Sequence, residues 1–237
     1  MVRLYAPEAK KGKEIILSKD QIRHLKVLRL RPGEPIYVFD GKGDEFKGTY
    51  TEKVRLGKLN LGEELIPQKE SAVKITLGIC SPKATRLDFL VEKVSELGVF
   101  EIIPLITQRT IVKPRENKIE RLQKIAVAAC EQSGRSVIPS ISAPKTLQKT
   151  LSECKYDQIF ICHSSGKPLQ ASFNEKSKRV LLLVGPEGDF THEELSLAEK
   201  KGAEKVSLGS TTLRIETAGI SSVAQTIGFY LEQKVYK

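Results

Sequence analysis

The sequence predicts an α/β protein in two parts: a small β-barrel over residues 1–70 and a parallel-sheet α/β domain over residues 71–237. Three observations carry that expectation. The first 65 residues read as short strands and turns with one helical stretch. A polar break follows at Ile66-Pro67-Gln68-Lys69-Glu70-Ser71. Beyond it, near-continuous apolar runs alternate with amphipathic helical patterns, as buried parallel strands with crossover helices require.

In the first part, Glu14–Leu17 is a short strand-like run and Pro35–Phe39 a second, closed by the turn signal Asp40-Gly41. Phe46–Leu56 continues in strand-like fashion, punctuated by Gly48 and Gly57. Ser18 with Gln21 three residues later forms a capping box. The helix it opens carries Ile22, Leu25 and Leu28 on one side and Arg23, Lys26 and Arg29 beside them, and Pro32-Gly33 stops it. A closed, twisted sheet accommodates this pattern.

In the second part, Val73–Cys80 is a strand. Arg86–Leu97 is a helix with Leu87, Leu90, Val91, Val94 and Leu97 in one stripe and Gly98 at its C-terminal end. Glu101–Ile106 is a strand and Lys118–Cys130 a helix. Asp157–Cys162 and Val180–Val184 are apolar strands. Thr191 and Glu194 form a second capping box, with Gly202 ending that helix. Lys205–Leu208 is a short strand, and Ile215–Gln233 a last helix with an apolar stripe through Ile220, Val223, Ala224 and Ile227.

Composition narrows the function. Lys and Arg number 39 against 29 Asp and Glu, a net charge of +10, which points to a polyanionic partner, nucleic acid before membrane. The basic residues concentrate in two stretches: 19–31 has five against one acidic residue, and 109–124 has six against two. No apolar run approaches the ~20 residues of a membrane helix, and Met1-Val2-Arg3-Leu4-Tyr5 begins no secretory signal. Cys80, Cys130, Cys154 and Cys162 include no CxxC pair and no histidine cluster, so the expectation is free thiols in a reducing cytoplasm and no metal site.

Several chemistries are missing their parts. After Gly41-Lys42-Gly43, Phe46 occupies the place of the third glycine of a dinucleotide fingerprint. No Gly-Lys pair precedes Ser or Thr. Ser196 stands where a zincin helix opened by His192-Glu193 needs its second histidine. What remains is three turns after three C-terminal strands: Cys162-His163-Ser164-Ser165-Gly166, Gly185-Pro186-Glu187-Gly188-Asp189-Phe190, and Leu208-Gly209-Ser210-Thr211-Thr212-Leu213-Arg214. Ligands of open α/β sheets bind at such carboxyl ends. Glycine also lets backbone approach a ligand, although the same residues serve equally as a plain turn into a capped helix. Arg214 and Glu216, at the entrance to the last helix, either pair with each other or direct a cation into a pocket.

Gly185-Pro186-Glu187-Gly188, Leu208-Gly209 and Leu213-Arg214-x-Glu216-Thr217-Ala218 resemble, in this order, the signature of the SPOUT class of S-adenosylmethionine-dependent RNA methyltransferases. The closer resemblance is to the RsmE family, which methylates N3 of a uridine in small-subunit (16S) ribosomal RNA. Arg23-His24-Leu25 with Val27-Leu28-Arg29, the stretch Lys83-Ala84-Thr85-Arg86-Leu87-Asp88 continuing through Gly98 to Ile103-Pro104, and Glu131-Gln132-Ser133-Gly134-Arg135 with Pro139 agree with it. The chain departs where the family usually has Gly (Asp189) and Arg followed by Ile or Val (Thr211, Thr212).

The resemblance implies a PUA-like β-barrel followed by a SPOUT-type α/β domain with a C-terminal trefoil knot, working as a homodimer. It implies S-adenosylmethionine as cofactor, held by Cys162, His163, Ser164, Gly185, Pro186, Glu187, Gly188, Leu208, Gly209, Leu213, Arg214, Thr217 and Ala218. Arg214 and Glu216 become the expected catalytic residues. Arg23, His24, Lys26, Arg29, Lys83, Arg86 and Arg135 become the expected RNA contacts, with structural pairing the alternative for Lys83, Arg86 and Arg135. The partner implied is ribosomal RNA or the small ribosomal subunit.

Overall fold

A computed structural model describes residues 2–66, 70–82, 85–111, 116–153 and 155–235. The chain forms two compact units, Met1–Lys69 together with Cys130–Ile138, and Glu70–Ala129 together with Pro139–Lys237.

The first unit is a five-stranded sheet of β1 (Val2–Tyr5), β2 (Glu14–Ile16), β3 (Pro35–Phe39), β4 (Glu45–Thr49) and β5 (Lys58–Leu65), in the order β1-β3-β4-β5-β2. β1 runs parallel to β3, and the other pairings are antiparallel. The sheet is a half-barrel: among the described residues β1 and β2 remain its edges, where the sequence suggested closure. Helix α1 (Lys19–Val27) begins at the predicted capping box, with Ser18 Oγ accepting from Gln21 N and Gln21 Oε1 from Ser18 N. Its Leu25 is buried in the core cluster that also holds Leu4, Ile36, Val38 and Leu59. Residues 52–55, expected as strand, form a short helix α2 (Glu52–Arg55), because Val54 alone of that stretch reaches the core.

Residues 130–138 join this unit through a buried polar network. Arg3 pairs with Glu45, whose Oε2 accepts from Ser136 Oγ at 3.1 Å. Arg3 Nη2 donates to the Arg135 carbonyl at 3.2 Å. Burial of this ion pair demands those extra hydrogen bonds.

The second unit is a parallel sheet in the order β12-β10-β11-β6-β7-β8, with a short β9 also on β7. Its strands are β6 (Lys74–Cys80), β7 (Glu101–Ile106), β8 (Ser140–Ile141), β9 (Lys145–Thr146), β10 (Gln158–Pro168), β11 (Arg179–Val184) and β12 (Ala203–Ser207). The helices are α3 (Thr85–Leu97), α4 (Glu116–Ser133), whose last turn belongs to the first unit, α5 (Leu147–Leu151), α6 (His192–Lys200) and α7 (Ile215–Val235). β11 is buried from Val180 to Val184, as a central parallel strand must be. Gly219 brings α7 onto the sheet: a Cβ there would stand 2.7 Å from Ile79 Cδ1 and 2.8 Å from Leu90 Cδ1. β10 is longer than its apolar run suggests. It pairs with β12 through Cys162, skips four residues, and resumes with Lys167 opposite Val206.

Candidate active site

Two of the three predicted turns follow the carboxyl ends of β12 and β11; the first, Cys162–Gly166, expected as a loop after a strand, instead lies within β10 between them, which runs on to Pro168. The turn after β11 is fixed from several sides. Asp189 N donates to the Pro186 carbonyl at 2.9 Å, and Asp189 takes φ +63°. That left-handed conformation favours glycine, and aspartate is among the side chains that tolerate it best. Its Oδ1 also accepts from Phe190 N at 2.8 Å. The buried Phe190 ring lies under Gly185, 2.9 Å from where a Cβ would be, so this turn has room only for glycine as it stands.

Two further groups anchor the turn from behind. Glu194, buried, accepts from Thr191 N and from Gln108 N, both at 2.9 Å, and so joins the start of α6 to the segment after β7. Arg109 Nη1 donates to the Gly188 carbonyl. The charge of Arg109 is visible in the sequence, but its role depends on a contact far along the chain.

The turn within β10 meets the turn after β11 at His163. Its Nδ1 accepts from Ser165 N at 3.2 Å, which places the proton of the neutral ring on Nε2, 3.4 Å from Asp189 Oδ2. Burial pushes the Cys162 thiol up to about 12, so it offers a neutral surface and no thiolate. The turn after β12 is held by Ser207, whose Oγ accepts from Gly209 N at 3.4 Å, and by Gln225 of α7, whose Nε2 donates to the Leu208 carbonyl at 3.1 Å. Gly209 has φ +151°, with no atom within 4 Å of the place a Cβ would take. Its Cα therefore faces open space on that side, while Ser207 Oγ also donates to its carbonyl at 2.9 Å.

Beside this turn lies a cleft of about 590 Å³, within the range of ligand sites. Leu213, Arg214, Glu216 and Thr217 line one wall; Thr85, Arg86 and Phe89 of α3 line the other. Glu216 Oε1 is 3.6 Å from Arg86 Nε, so the acid pairs with α3 rather than with Arg214. Arg214 is exposed and makes no ion pair among the described residues. Sequence reasoning gave Phe89 no site role.

The remaining expected residues divide. Cys162, His163, Ser164, Gly185, Pro186, Glu187, Gly188, Leu208 and Gly209 belong to the three turns, and Ala218 to the first turn of α7. Arg23, His24, Lys26 and Arg29 are exposed on and just after α1 in the first unit, while Arg135 is buried there. Lys83 lies outside the described residues. No group of three or more metal-binding side chains occurs among the described residues. No helix among them is long and apolar enough to cross a membrane.

Comparison with known proteins gives a consistent result. A family model described as an RNA methyltransferase domain matches residues 69–227, and one described as an RNA methyltransferase PUA domain matches residues 17–53. The chain is 33% identical over 227 residues to the ribosomal RNA small subunit methyltransferase E of Synechocystis, covering 93% of this chain and 75% of that protein. It is 32% identical to that of Rickettsia conorii, covering 95% and 94%. The crystal structure of the Neisseria gonorrhoeae ribosomal RNA small subunit methyltransferase E bound to S-adenosyl methionine superposes with a TM-score of 0.85 at 34% identity, covering 94% of this chain and 95% of that one.

Proposed function

The chain belongs to the ribosomal RNA small subunit methyltransferase E family of RNA methyltransferases, and on that premise we propose that it methylates N3 of a uridine in small-subunit ribosomal RNA. The observation that carries the reading is Arg214, without an ion-pair partner among the described residues, in the cleft at the end of the turn after β12. S-adenosylmethionine, when bound, supplies an electrophilic methyl group on a sulfonium. The residues present suit it: Gly209 leaves open space where a side chain would stand, and the turns that carry Leu208, Leu213 and Gly185–Gly188 follow β12 and β11, the strands on either side of β10. Cys162, His163, Ser164, Pro186, Glu187, Thr217 and Ala218 complete the proposed cofactor set.

The chain's own contribution to the reaction is positioning and charge. Aligning two reactants in line removes much of the entropic barrier. N3 of uridine must lose its proton, which passes to Glu216 or to water, and negative charge spreads to O2 and O4. A guanidinium with no competing partner, such as Arg214, is available to stabilise that charge. Glu216, beside Arg86, is the carboxylate of the same cleft.

RNA is held by phosphate contacts, for which the exposed Arg23, His24, Lys26 and Arg29 of the first unit are suited, with Lys83 and Arg86 in the second. On this reading residues 1–70 bind RNA and residues 71–237 carry cofactor binding, catalysis and homodimerisation. A trefoil knot in the second unit is what membership of the family suggests; at Gly166 a Cβ would meet Val206 N at 2.4 Å and Lys205 C at 2.5 Å. Such a passage leaves no room for a side chain between β10 and β12. Half-exposed Phe89 and Leu231 suit a subunit interface, and a cytoplasmic ribosomal substrate fits the unbridged Cys80 and Cys162.

The test is transfer of a labelled methyl group from S-adenosylmethionine to small ribosomal subunits from a strain lacking the endogenous activity. Incorporation into the RNA is expected, and its absence at saturating donor contradicts the proposal.

A further inference from the structure

Two turns of the proposed cofactor site run past the sheet that carries them. β10 pairs with β11 as far as Ile161 opposite Leu183, and with β12 as far as Cys162 opposite Val206, resuming only at Lys167. Residues 163–166 therefore leave both ladders. β11 pairs with β6 as far as Val184 opposite Ile79, and Gly185–Phe190 lie past its end. Beyond those points no ladder pairing sets the distance between the two turns. One side-chain contact spans them: His163 Nε2 is 3.4 Å from Asp189 Oδ2. Among the described residues no other ion pair or side-chain hydrogen bond joins the two turns.

Both ends of this contact are set before they meet. His163 Nδ1 accepts from Ser165 N at 3.2 Å and lies 2.8 Å from Ser165 Oγ, so the ring is held by its own turn and Nε2–H is left for Asp189. Asp189 Oδ1 accepts from Phe190 N at 2.8 Å, and the buried Phe190 ring anchors that turn in the core. The carboxylate thus has one oxygen on its own turn and the other on His163. Groups oriented in advance lose little side-chain entropy on pairing, the loss that makes most exposed ion pairs weak. Glycine would meet the backbone requirement at φ +63° at least as well, so what aspartate adds at 189 is the carboxylate.

We propose that Asp189 is a positioning residue for the cofactor. Through His163 it fixes the spacing of the turn within β10 and the turn after β11, and so holds two walls between which S-adenosylmethionine binds. This rests on the reading of the chain as an S-adenosylmethionine-dependent methyltransferase and assigns a role within that site to a residue outside the proposed cofactor set.

The test is calorimetric titration of the full-length protein with S-adenosylmethionine. Asparagine at 189 tolerates the left-handed conformation and keeps an acceptor for Phe190 N, but sets its amide N–H groups against His163 Nε2–H. Asp189→Asn is expected to weaken S-adenosylmethionine binding about three- to fivefold and to move the melting temperature by less than about 3 °C. Asparagine at 163 keeps an acceptor near the place of Nδ1 but lacks the reach to Asp189, whereas glutamine carries an amide N–H to the place of Nε2. In a His163→Asn background Asp189→Asn is expected to add no further loss, and His163→Gln to bind more tightly than His163→Asn. In methylation assays Asp189→Asn is expected to raise the KM for S-adenosylmethionine by the same factor and to leave kcat at saturating donor within about twofold. An Asp189→Asn protein that binds S-adenosylmethionine as the unaltered protein does overturns the proposal. So does full additivity of the two substitutions, or a loss confined to the melting temperature. The titration needs no RNA, so binding that depends on this pair without methyl transfer supports the positioning role and counts against the reaction. Failure of the unaltered protein to bind S-adenosylmethionine overturns both.

Discussion

The Glu216 carboxylate lies 3.6 Å from the Arg86 guanidinium, so the acid at the entrance to α7 is held by the neighbouring helix and Arg214 is left unpaired. Arg86 is half exposed and Glu216 largely buried, which limits the strength of the pair by solvent screening on one side. A double-mutant cycle with Arg86→Gln and Glu216→Gln, read by chemical denaturation, is expected to give a coupling below about 1 kcal/mol. A coupling several times larger marks the pair as a fold determinant instead.

Arg214 has the opposite character, a charge without a protein partner. Removing a donor that meets charge developing in the transition state costs roughly 100- to 1,000-fold in kcat. Arg214→Ala is therefore expected to lower single-turnover methyl transfer by that order while S-adenosylmethionine binding by calorimetry changes little. Normal turnover at saturating donor and RNA contradicts the role.

The glycines of the site differ in what surrounds them. At Gly166 an added methyl meets backbone, Val206 N at 2.4 Å, which cannot move without separating β10 from β12. At Gly185 it meets the Phe190 ring at 2.9 Å, and a ring can tilt. Gly166→Ala is expected to abolish folding or lower the melting temperature far more than Gly185→Ala, whose cost of about 1–3 kcal/mol is that of overpacking. Thermal unfolding of the two variants side by side decides the order.

Asp157 binds the main chain at the start of β11, accepting from Lys178 N at 2.7 Å and from Arg179 N at 2.8 Å. Those two amides hold its carboxyl below the ordinary value of 3.8. An acid whose folded pKa is depressed stabilises the protein fully above its unfolded pKa, and the contribution fades as pH falls through the folded value. Asp157→Ala is expected to cost about 1 kcal/mol near neutral pH, because the side chain is exposed. The gap from the unaltered protein narrows below pH 3.8. A gap independent of pH from neutrality to acid denaturation excludes the charge as its source.

What the sequence revealed was local. The capping boxes at Ser18–Gln21 and Thr191–Glu194 begin helices where expected, because each depends on residues three apart. The stripe of Leu87, Leu90, Val91 and Val94 is buried on α3 as its spacing requires. Residues 52–55 misled because Val54 and Leu56 alternate like a strand, yet Leu56 is 80% exposed and the four residues make a single helical turn. β5 escaped notice because its charged second half, Gly62-Glu63-Glu64, hides the alternation of Leu59 and Leu61. The grouping of residues 130–138 with the first unit depends on Arg3, Glu45 and Ser136 meeting across long sequence separations. The pairing of Glu216 with Arg86 and the hold of Arg109 on Gly188 are of the same kind: the residue types were visible, the partners were not.

The most direct measurement is nucleoside mass spectrometry of ribosomal RNA from small subunits incubated with this protein and S-adenosylmethionine. The expected result is one mole of 3-methyluridine per mole of RNA, absent when Arg214→Ala replaces the unaltered protein. A methyl group found on ribose, on another base, or on no nucleoside contradicts the assignment.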